Sequence, residues 1–458
     1  MLPPGPKGTF IGGHFTEMSR DWLAAYTAYA RQFGDVVAYR IGSFKYALVS
    51  EPALIEQVLV ANADRLKKPA IQRLIHPLLG DGLLLNEGEP WKRQRRLLSP
   101  MFHRQRVAQY GDLIARLAAS LCAEFNDDEV RDIHKDMTRL TLRVVALAMF
   151  GTDIGTTVQE VERVLSRAME ALSARLDTPL PLPNWIPTRG VRRLREARRR
   201  LDMLIARFID ERRRSGEVAK PDLLSVLLSV RDAETGQGLS DVQVHDEAAT
   251  IFVAGFETTA ITLSWAFWLL ANHPHANARL ASELKEVLGG RAPTSDDLPR
   301  LRFADCVIRE TMRLYPPAWL IAREVTRDLE VGAYRIPKGW TVEVSPWVTH
   351  RDPRFWQEPD AFIPERWENG LHERLPRFAY FPFGGGPRVC IGNAFAMLEA
   401  ILVLSVVGQE CCFEPINATP RPEAGFTLRP SPGIPLRVRR ANVRPLVAQA
   451  IGAPSGSV

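Results

Sequence analysis

Cysteine is scarce in this 458-residue chain. The five thiols, Cys122, Cys306, Cys390, Cys411 and Cys412, are odd in number and form no metal-type CxxC spacing. A disulfide scaffold and a zinc ribbon are both excluded on that ground. Charge of one sign is nearly lacking in excess: 59 Lys+Arg against 53 Asp+Glu leaves +6, too mild over this length to mark a nucleic-acid binder. Repeats and low-complexity stretches are absent. The opening residues Met1 to Gly8 are rich in proline and have no apolar signal core, so reduced thiols in a cytoplasm are expected, with no membrane anchor. What is present, 46% hydrophobic and 24% charged residues, is the composition of an ordinary globular protein.

Only one long hydrophobic run stands out. Ala248 to Ala271 carries a single charge, Glu257, in 24 residues. That is long enough to span a bilayer, which takes about 20 residues, but a carboxylate near its middle would cost on the order of a few kcal/mol in lipid. Thr258, Thr259, Thr262 and Ser264 add further polar groups. A long helix buried through the centre of a protein is expected instead, since a helix apolar all round must be covered on every side.

The remaining pattern places two short strands at Asp35–Gly42 and Tyr46–Ser50 around a Gly-Ser turn. From Glu51 to about Gly290 it is mostly helical, interrupted by the proline-rich loop Thr178–Pro187. Val191–Arg214 is arginine-dense, with Leu194, Leu201, Leu204, Ile205 and Phe208 at helical spacing, and reads as a long surface helix. After Pro316 short β-like runs, Leu329–Val331 and Thr341–Val344, alternate with turns. The expected fold is mainly α with small β-sheets: a helical body over about 51–315, sheet- and loop-rich flanks over about 35–50 and 316–440, and one unit across 1–458.

One cysteine has unusual surroundings. Residues 381–392 read Phe-Pro-Phe-Gly-Gly-Gly-Pro-Arg-Val-Cys-Ile-Gly and run into an apolar helix. Consecutive glycines let a backbone approach another surface closely, and a thiol beside a helix N-terminus has its thiolate stabilised. This segment resembles the heme-ligand loop of the cytochrome P450 family. The resemblance extends over nearly the whole chain. Glu310-Thr-Met-Arg313 matches the ExxR pair, Phe362-Ile-Pro-Glu-Arg366-Trp the segment that completes it, Ala254-Gly-Phe-Glu257-Thr258-Thr259 the oxygen-activation motif, and Trp91-Lys-Arg-Gln-Arg95 the WxxxR pattern.

The resemblance implies a triangular helical prism with heme b, iron protoporphyrin IX, held between the long central helix and the helix after Cys390. It makes Cys390 the axial ligand of the heme iron, and Glu310, Arg313 and Arg366 a structural charged triad. Trp91, Arg95, Arg323, Arg388, Gly384 and Ala254 become cofactor contacts, with the arginines at the propionates. Gly255 would open a groove for dioxygen, and Glu257 and Thr258 would relay protons. The implied activity is oxygen insertion from O2 into a C–H bond or alkene of a lipophilic fatty acid, terpenoid, steroid or polyketide. The apolar walls would come from Leu66–Leu85, Ala171–Pro187, Ala318–Ala322 and Phe426–Leu428.

No flavin or nicotinamide domain is read after the heme region. Electrons would come from a ferredoxin with its reductase, or from a flavodoxin, docking on Lys92, Arg93, Arg96, Arg104 and Arg106 of a cytoplasmic monomer. A peroxide-using peroxygenase of the same fold and a non-catalytic heme or ligand binder remain as alternatives.

Overall fold

The computed structural model describes residues 1–10, 12–176, 182–215, 222–231 and 236–441. Residues 178–181 of the expected Thr178–Pro187 loop, and the last seventeen of the expected 1–458 unit, lie outside the described residues.

The main helices are α1 (Trp22–Phe33), α2 (Gly88–Leu98), α3 (Gly111–Ala123), α4 (Ile133–Phe150), α5 (Val158–Leu176), α6 (Arg189–Ser215), α7 (Asp241–Asn272), α8 (Pro274–Leu288), α9 (Arg302–Leu314) and α10 (Asn393–Glu410). The strands are β1 (Val36–Ile41), β2 (Phe44–Val49), β3 (Leu66–Lys67), β4 (Val130–Asp132), β5 (Ile321–Val325), β6 (Leu329–Val331), β7 (Tyr334–Ile336), β8 (Thr341–Val344), β9 (Cys411–Pro415), β10 (Arg421–Ala424), β11 (Leu428–Ser431) and β12 (Pro435–Arg440). A five-stranded sheet runs β1-β2-β8-β5-β3, with β2 and β8 parallel and the other pairs antiparallel. Strands β4-β12-β9 form a second sheet, while β6-β7 and β10-β11 are hairpins. The mainly helical fold with small sheets is as expected.

Helix α7 is the core of the molecule and starts seven residues before the apolar run does. Its start is set by a capping box: Gln243 N–H donates to Ser240 Oγ at 3.3 Å, and Ser240 N–H donates to Gln243 Oε1 at 3.0 Å. The intervening acids hid this turn from hydrophobic periodicity. Both α7 and α10 are apolar and long enough to cross a membrane, but most of each apolar stretch is buried within the protein. Gly255 lines a large cavity and also has a packing role. A Cβ there would lie 3.1 Å from Val145 Cγ2, so the missing side chain lets α7 pack tightly on α4.

The early acids of α7 hold the loop that precedes α2. Asp246 accepts from Asp81 N–H and from Arg198 Nη2, both at 2.8 Å. Glu247 Oε2 accepts from Leu83 N–H at 3.0 Å. Burial, with neighbouring Asp246 adding to it, pushes the Glu247 carboxyl up to about 8, so it is protonated at neutral pH.

Helix α9 carries Glu310 and Arg313, both fully buried, one turn apart. Arg313 donates from Nε and Nη2 to the two Glu310 oxygens at 2.9 and 2.8 Å. Glu310 also accepts from Arg366 Nε at 2.9 Å, Trp367 Nε1 at 2.9 Å and Ile363 N–H at 3.0 Å. The rest of the Arg313 guanidinium goes to the carbonyls of His350, Pro359 and Ala361.

Two stability effects follow from these buried groups. Arg313→Leu leaves Glu310 short of its main counter-charge and is expected to cost ~3–5 kcal/mol, read as a fall in urea midpoint and soluble yield. For Glu247, the raised carboxyl pKa means its favourable contribution is complete below about pH 4.5 and is lost as pH rises through about 8. Glu247→Gln should match the wild-type melting temperature near pH 4.5 and exceed it at pH 8.5, by as much as ~4 kcal/mol in stability.

Candidate active site

A cavity of about 990 Å³ opens between α7 and the glycine-rich loop that leads into α10. Ala254 and Thr258 line it from the α7 side, Gly384 and Cys390 from the loop. Leu83 and Leu84, Ala318–Ala322, and Phe426 complete a mainly apolar wall, with Leu172 and Pro183 from the α5 region. Each stretch expected to contribute does so, apart from Leu428 at the end of the last one.

The loop is shaped by close backbone packing. A Cβ on Gly385 would lie 2.2 Å from the Phe378 ring, and one on Gly386, at φ +66°, would lie 2.0 Å from the Leu59 carbonyl oxygen. Neither position accepts a side chain. Phe383 carbonyl accepts from Cys390 N–H at 2.9 Å, and Phe381 carbonyl accepts from Gly384 N–H at 2.9 Å. His350 Nε2 accepts from Phe381 N–H at 2.9 Å, while burial and the nearby Arg313 and Arg351 hold the imidazole well below its usual range. A neutral His350 therefore ties this loop to the Glu310–Arg313 cluster, whose Arg313 holds the His350 carbonyl.

Cys390 presents its exposed surface to the cavity. Burial raises its pKa, opposed by the Gly392 N–H and by Arg95. Helix α10 begins at Asn393, not directly after the cysteine. Among the described residues, no three His, Cys, Asp or Glu side chains gather to hold a bare metal ion. A metal at Cys390 must bring its other ligands with it, as the iron of a porphyrin does.

Cations fit the rest of such a group. Arg95, Arg323 and Arg388 line the same cavity, joined by Lys68, which sequence reading missed. Among the described residues the Lys68 and Arg95 side chains have no carboxylate partner, and Arg323 donates only to the Ala322 carbonyl, at 2.8 Å. Burial, then Arg323 and Arg388, hold Lys68 well below the usual lysine range, while burial and Arg388 bring Arg323 down to about 10. Glu87 offsets one charge, accepting from Arg388 Nη2 at 2.5 Å. Trp91 packs under Arg388, ring centre to guanidinium 3.8 Å, and so positions that arginine as well as facing the cavity. Uncompensated positive charge beside a large apolar slot suits the two propionates of a heme.

The acid–threonine pair is present but its members face different partners. Thr258 Oγ1 donates to the Ala254 carbonyl at 3.0 Å, the back-bond expected of a helical threonine. Glu257 is buried and accepts from Thr427 Oγ1 at 3.0 Å and from Arg429 Nε at 2.5 Å, with a second Arg429 contact. Arg429 was not foreseen, because β11 reads as one short strand among several. The basic surface on α2 is smaller than expected. Lys92 is paired with Glu89 at 2.6 Å, and Arg93 reaches the carbonyls of Gln237 and Gly238 at 2.9 Å. Lys92, Arg96 and Arg104 remain exposed.

The family model for cytochrome P450 matches residues 3–437. The chain belongs to the cytochrome P450 family. It is similar to cyclooctatin synthase of Streptomyces melanosporofaciens, 38% identical with 94% of each chain covered. It is also similar to cyclooctat-9-en-7-ol 5-monooxygenase of that organism, 36% identical with 84% of each covered. Pentalenene oxygenase of Streptomyces avermitilis is 32% identical over 88% of this chain and 89% of its own. As a cytochrome P450 the protein is an oxidoreductase that uses heme iron, O2, a lipophilic substrate and a redox partner.

Lys68 gives the charge argument a direct check. Lys68→Met should stabilise the heme-free chain by removing a like charge, yet weaken hemin retention about tenfold, the loss of one charged contact. Thermal melts of the apoprotein and hemin transfer to an acceptor globin read the two effects. A surface lysine would move neither.

Proposed function

We propose that this cytochrome P450 is a monooxygenase of polycyclic terpenoids, supplied with electrons by a separate ferredoxin or flavodoxin in the cytoplasm. The observation that carries the reading is the apolar part of the cavity wall, Leu83, Leu84, Ala318–Ala322 and Phe426, which remains once the side with Cys390, Arg95 and Arg388 is given to heme. A space of that kind suits a bulky hydrocarbon skeleton, and three similar proteins are named for cyclooctatin, cyclooctatenol and pentalenene chemistry.

Heme b, when bound, supplies reductive activation of O2 and transfer of one oxygen atom to carbon, with a thiolate favouring O–O cleavage. The chain's own residues set the conditions. Cys390 offers its sulfur from a loop fixed by Gly385, Gly386 and His350. Arg95, Arg323, Arg388, Lys68 and Trp91 hold the propionate edge, while Gly384 and Ala254 shape the two faces of the slot. Glu310, Arg313 and Arg366 act through the backbone, not on substrate.

Proton delivery is assigned to Thr258 and Glu257. The Thr258 hydroxyl, on the cavity wall, would give up its bond to the Ala254 carbonyl to donate its proton into the cavity. Glu257, whose Oε1 accepts from Arg429 and Thr427 at rest, would take a proton from solvent and pass it to the Thr258 oxygen. Exposed Lys92, Arg96 and Arg104 lie on or just after α2 as the electron-donor surface.

Thr258→Ala tests the relay. Product per NAD(P)H consumed should fall several-fold while hydrogen peroxide release rises, with the rate of NAD(P)H use less affected. Unchanged coupling would remove Thr258 from proton delivery.

A further inference from the structure

The cavity has a second polar feature, distant in sequence from the cysteine loop and the acid–threonine pair. Glu343 on β8 lines it together with Tyr26 of α1 and Tyr46 of β2. Glu343 is 95% buried, being 5% exposed, and Tyr26 and Tyr39 are buried around it. Tyr26 Oη donates to Glu343 Oε2 at 2.7 Å, and Tyr39 Oη donates to the same oxygen. The two phenol oxygens are 2.8 Å apart, and Tyr39 stacks on Tyr46 with ring centres 5.1 Å apart. This fixes the carboxyl in one rotamer. It also leaves Oε1 with no hydrogen-bond partner among the described residues, on a side chain that forms part of the cavity wall.

Among the described residues no cation pairs with Glu343. The residues opposite it are Tyr26 from α1, Tyr39 from β1 paired with Tyr46 on β2, and Ala322 on β5. A buried acid without a counter-charge is costly unless its oxygens find donors. Here the protein supplies donors to one oxygen and none to the other.

We infer that Glu343 Oε1 is a recognition site for an alcohol group on the substrate, so that the enzyme reads a terpenoid already bearing one hydroxyl. This deepens the proposed monooxygenase reading and rests on it. The choice of ligand follows from the surroundings. Burial, partly offset by the two phenols, brings the Glu343 carboxyl up to about 7, so both of its forms are met near neutral pH. The ionised form repels a substrate carboxylate, and an ether or ketone pairs only with the protonated form. An ammonium would share its cavity with Lys68, Arg95 and Arg323. An alcohol, donor and acceptor at once, pairs with either form. A hydroxyl donates to Oε1 and brings no charge. The reaction that supplies such a substrate must itself install oxygen on the skeleton, either an earlier oxygenation or a cyclisation ended by water.

The test uses the heme-loaded full chain and three matched probes: cedrol with cedrane, patchouli alcohol with patchoulane, and phytol with phytene. Calorimetry measures Kd, and the Soret spectrum and product analysis are recorded alongside. The expected result is that at least one alcohol binds about tenfold tighter than its hydrocarbon, as for one hydrogen bond to a carboxylate. Glu343→Leu should bring that ratio to about one with little change for the hydrocarbon. Glu343→Gln keeps the shape and an acceptor oxygen, and should lower the ratio about threefold; it decides the matter should the leucine variant fail to fold. Equal binding of alcohol and hydrocarbon in all three wild-type pairs, or a ratio that survives both substitutions, overturns the assignment. Glu343-dependent alcohol binding with no oxygenated product would overturn the monooxygenase reading and leave the alcohol site standing. Oxygenated products with no alcohol preference would do the reverse.

Discussion

The structure depends on one buried ion cluster whose hydrogen bonds must all be met from within the protein. Glu310 has no water to turn to, and its two oxygens take five donors from Arg313, Arg366, Trp367 and the Ile363 backbone. An ion pair so deeply buried contributes little net stability compared with a well-packed apolar pair. What it contributes is position. Arg313 has donors left over, and these fix the carbonyls of His350, Pro359 and Ala361, three points on a long irregular segment. From His350 the constraint passes to the Phe381 N–H, and from there through two carbonyl contacts to Cys390. The sulfur sits on a loop without regular structure, yet its backbone is set by a rigid charged cluster on α9.

Charge in the cavity is sorted in the same economical way. Cations collect near the cysteine loop, where among the described residues Lys68, Arg95, Arg323 and Arg388 have one carboxylate partner, Glu87 at Arg388. Acids stand elsewhere, Glu257 on α7 and Glu343 on β8, each held by hydroxyl donors. The first arrangement destabilises the chain alone and is relieved by a dianionic group. The second is largely met by the protein's own donors, the phenols at one Glu343 oxygen and Thr427 and Arg429 at Glu257. One region is therefore built to need its cofactor and the other is already complete, save for Oε1 of Glu343.

Much of the site could be read in the sequence because its parts are local. Glu310 and Arg313 are one turn apart, Thr258 bonds to its own helix, and the Gly384–Gly392 loop is contiguous. The errors and omissions are all of long range. Arg429 meets Glu257 across 172 positions and Lys68 joins Arg323 from the residue just after β3, and neither residue has a distinctive neighbourhood. His350 looks like any histidine until Phe381 is placed on its ring nitrogen. The packing role of Gly255 shows only once Val145 of α4 is placed beside it. The apolar run begins later than α7 does because periodicity counts Asp246 and Glu247 as solvent-facing, whereas each is buried against a partner from another element.

These acids explain why α7 is not simply apolar along its length. A hydrophobic helix would pack as well and fold at lower cost, since each buried carboxyl must be paired or neutralised. Asp246 is paired with Arg198, Glu247 is neutralised, and Glu257 is paired with Arg429. Each resolution attaches α7 to a different piece of the cavity wall: Asp246 and Glu247 to the Asp81–Leu83 backbone and α6, Glu257 to Thr427 and β11. Apolar contacts are non-directional and would let these loops slide over the helix. Hydrogen bonds to fixed carboxyls do not. The polar residues of the central helix thus hold the roof and side of the cavity in register with Ala254 and Thr258, and the shape that selects a substrate is tied to the helix that would deliver its protons.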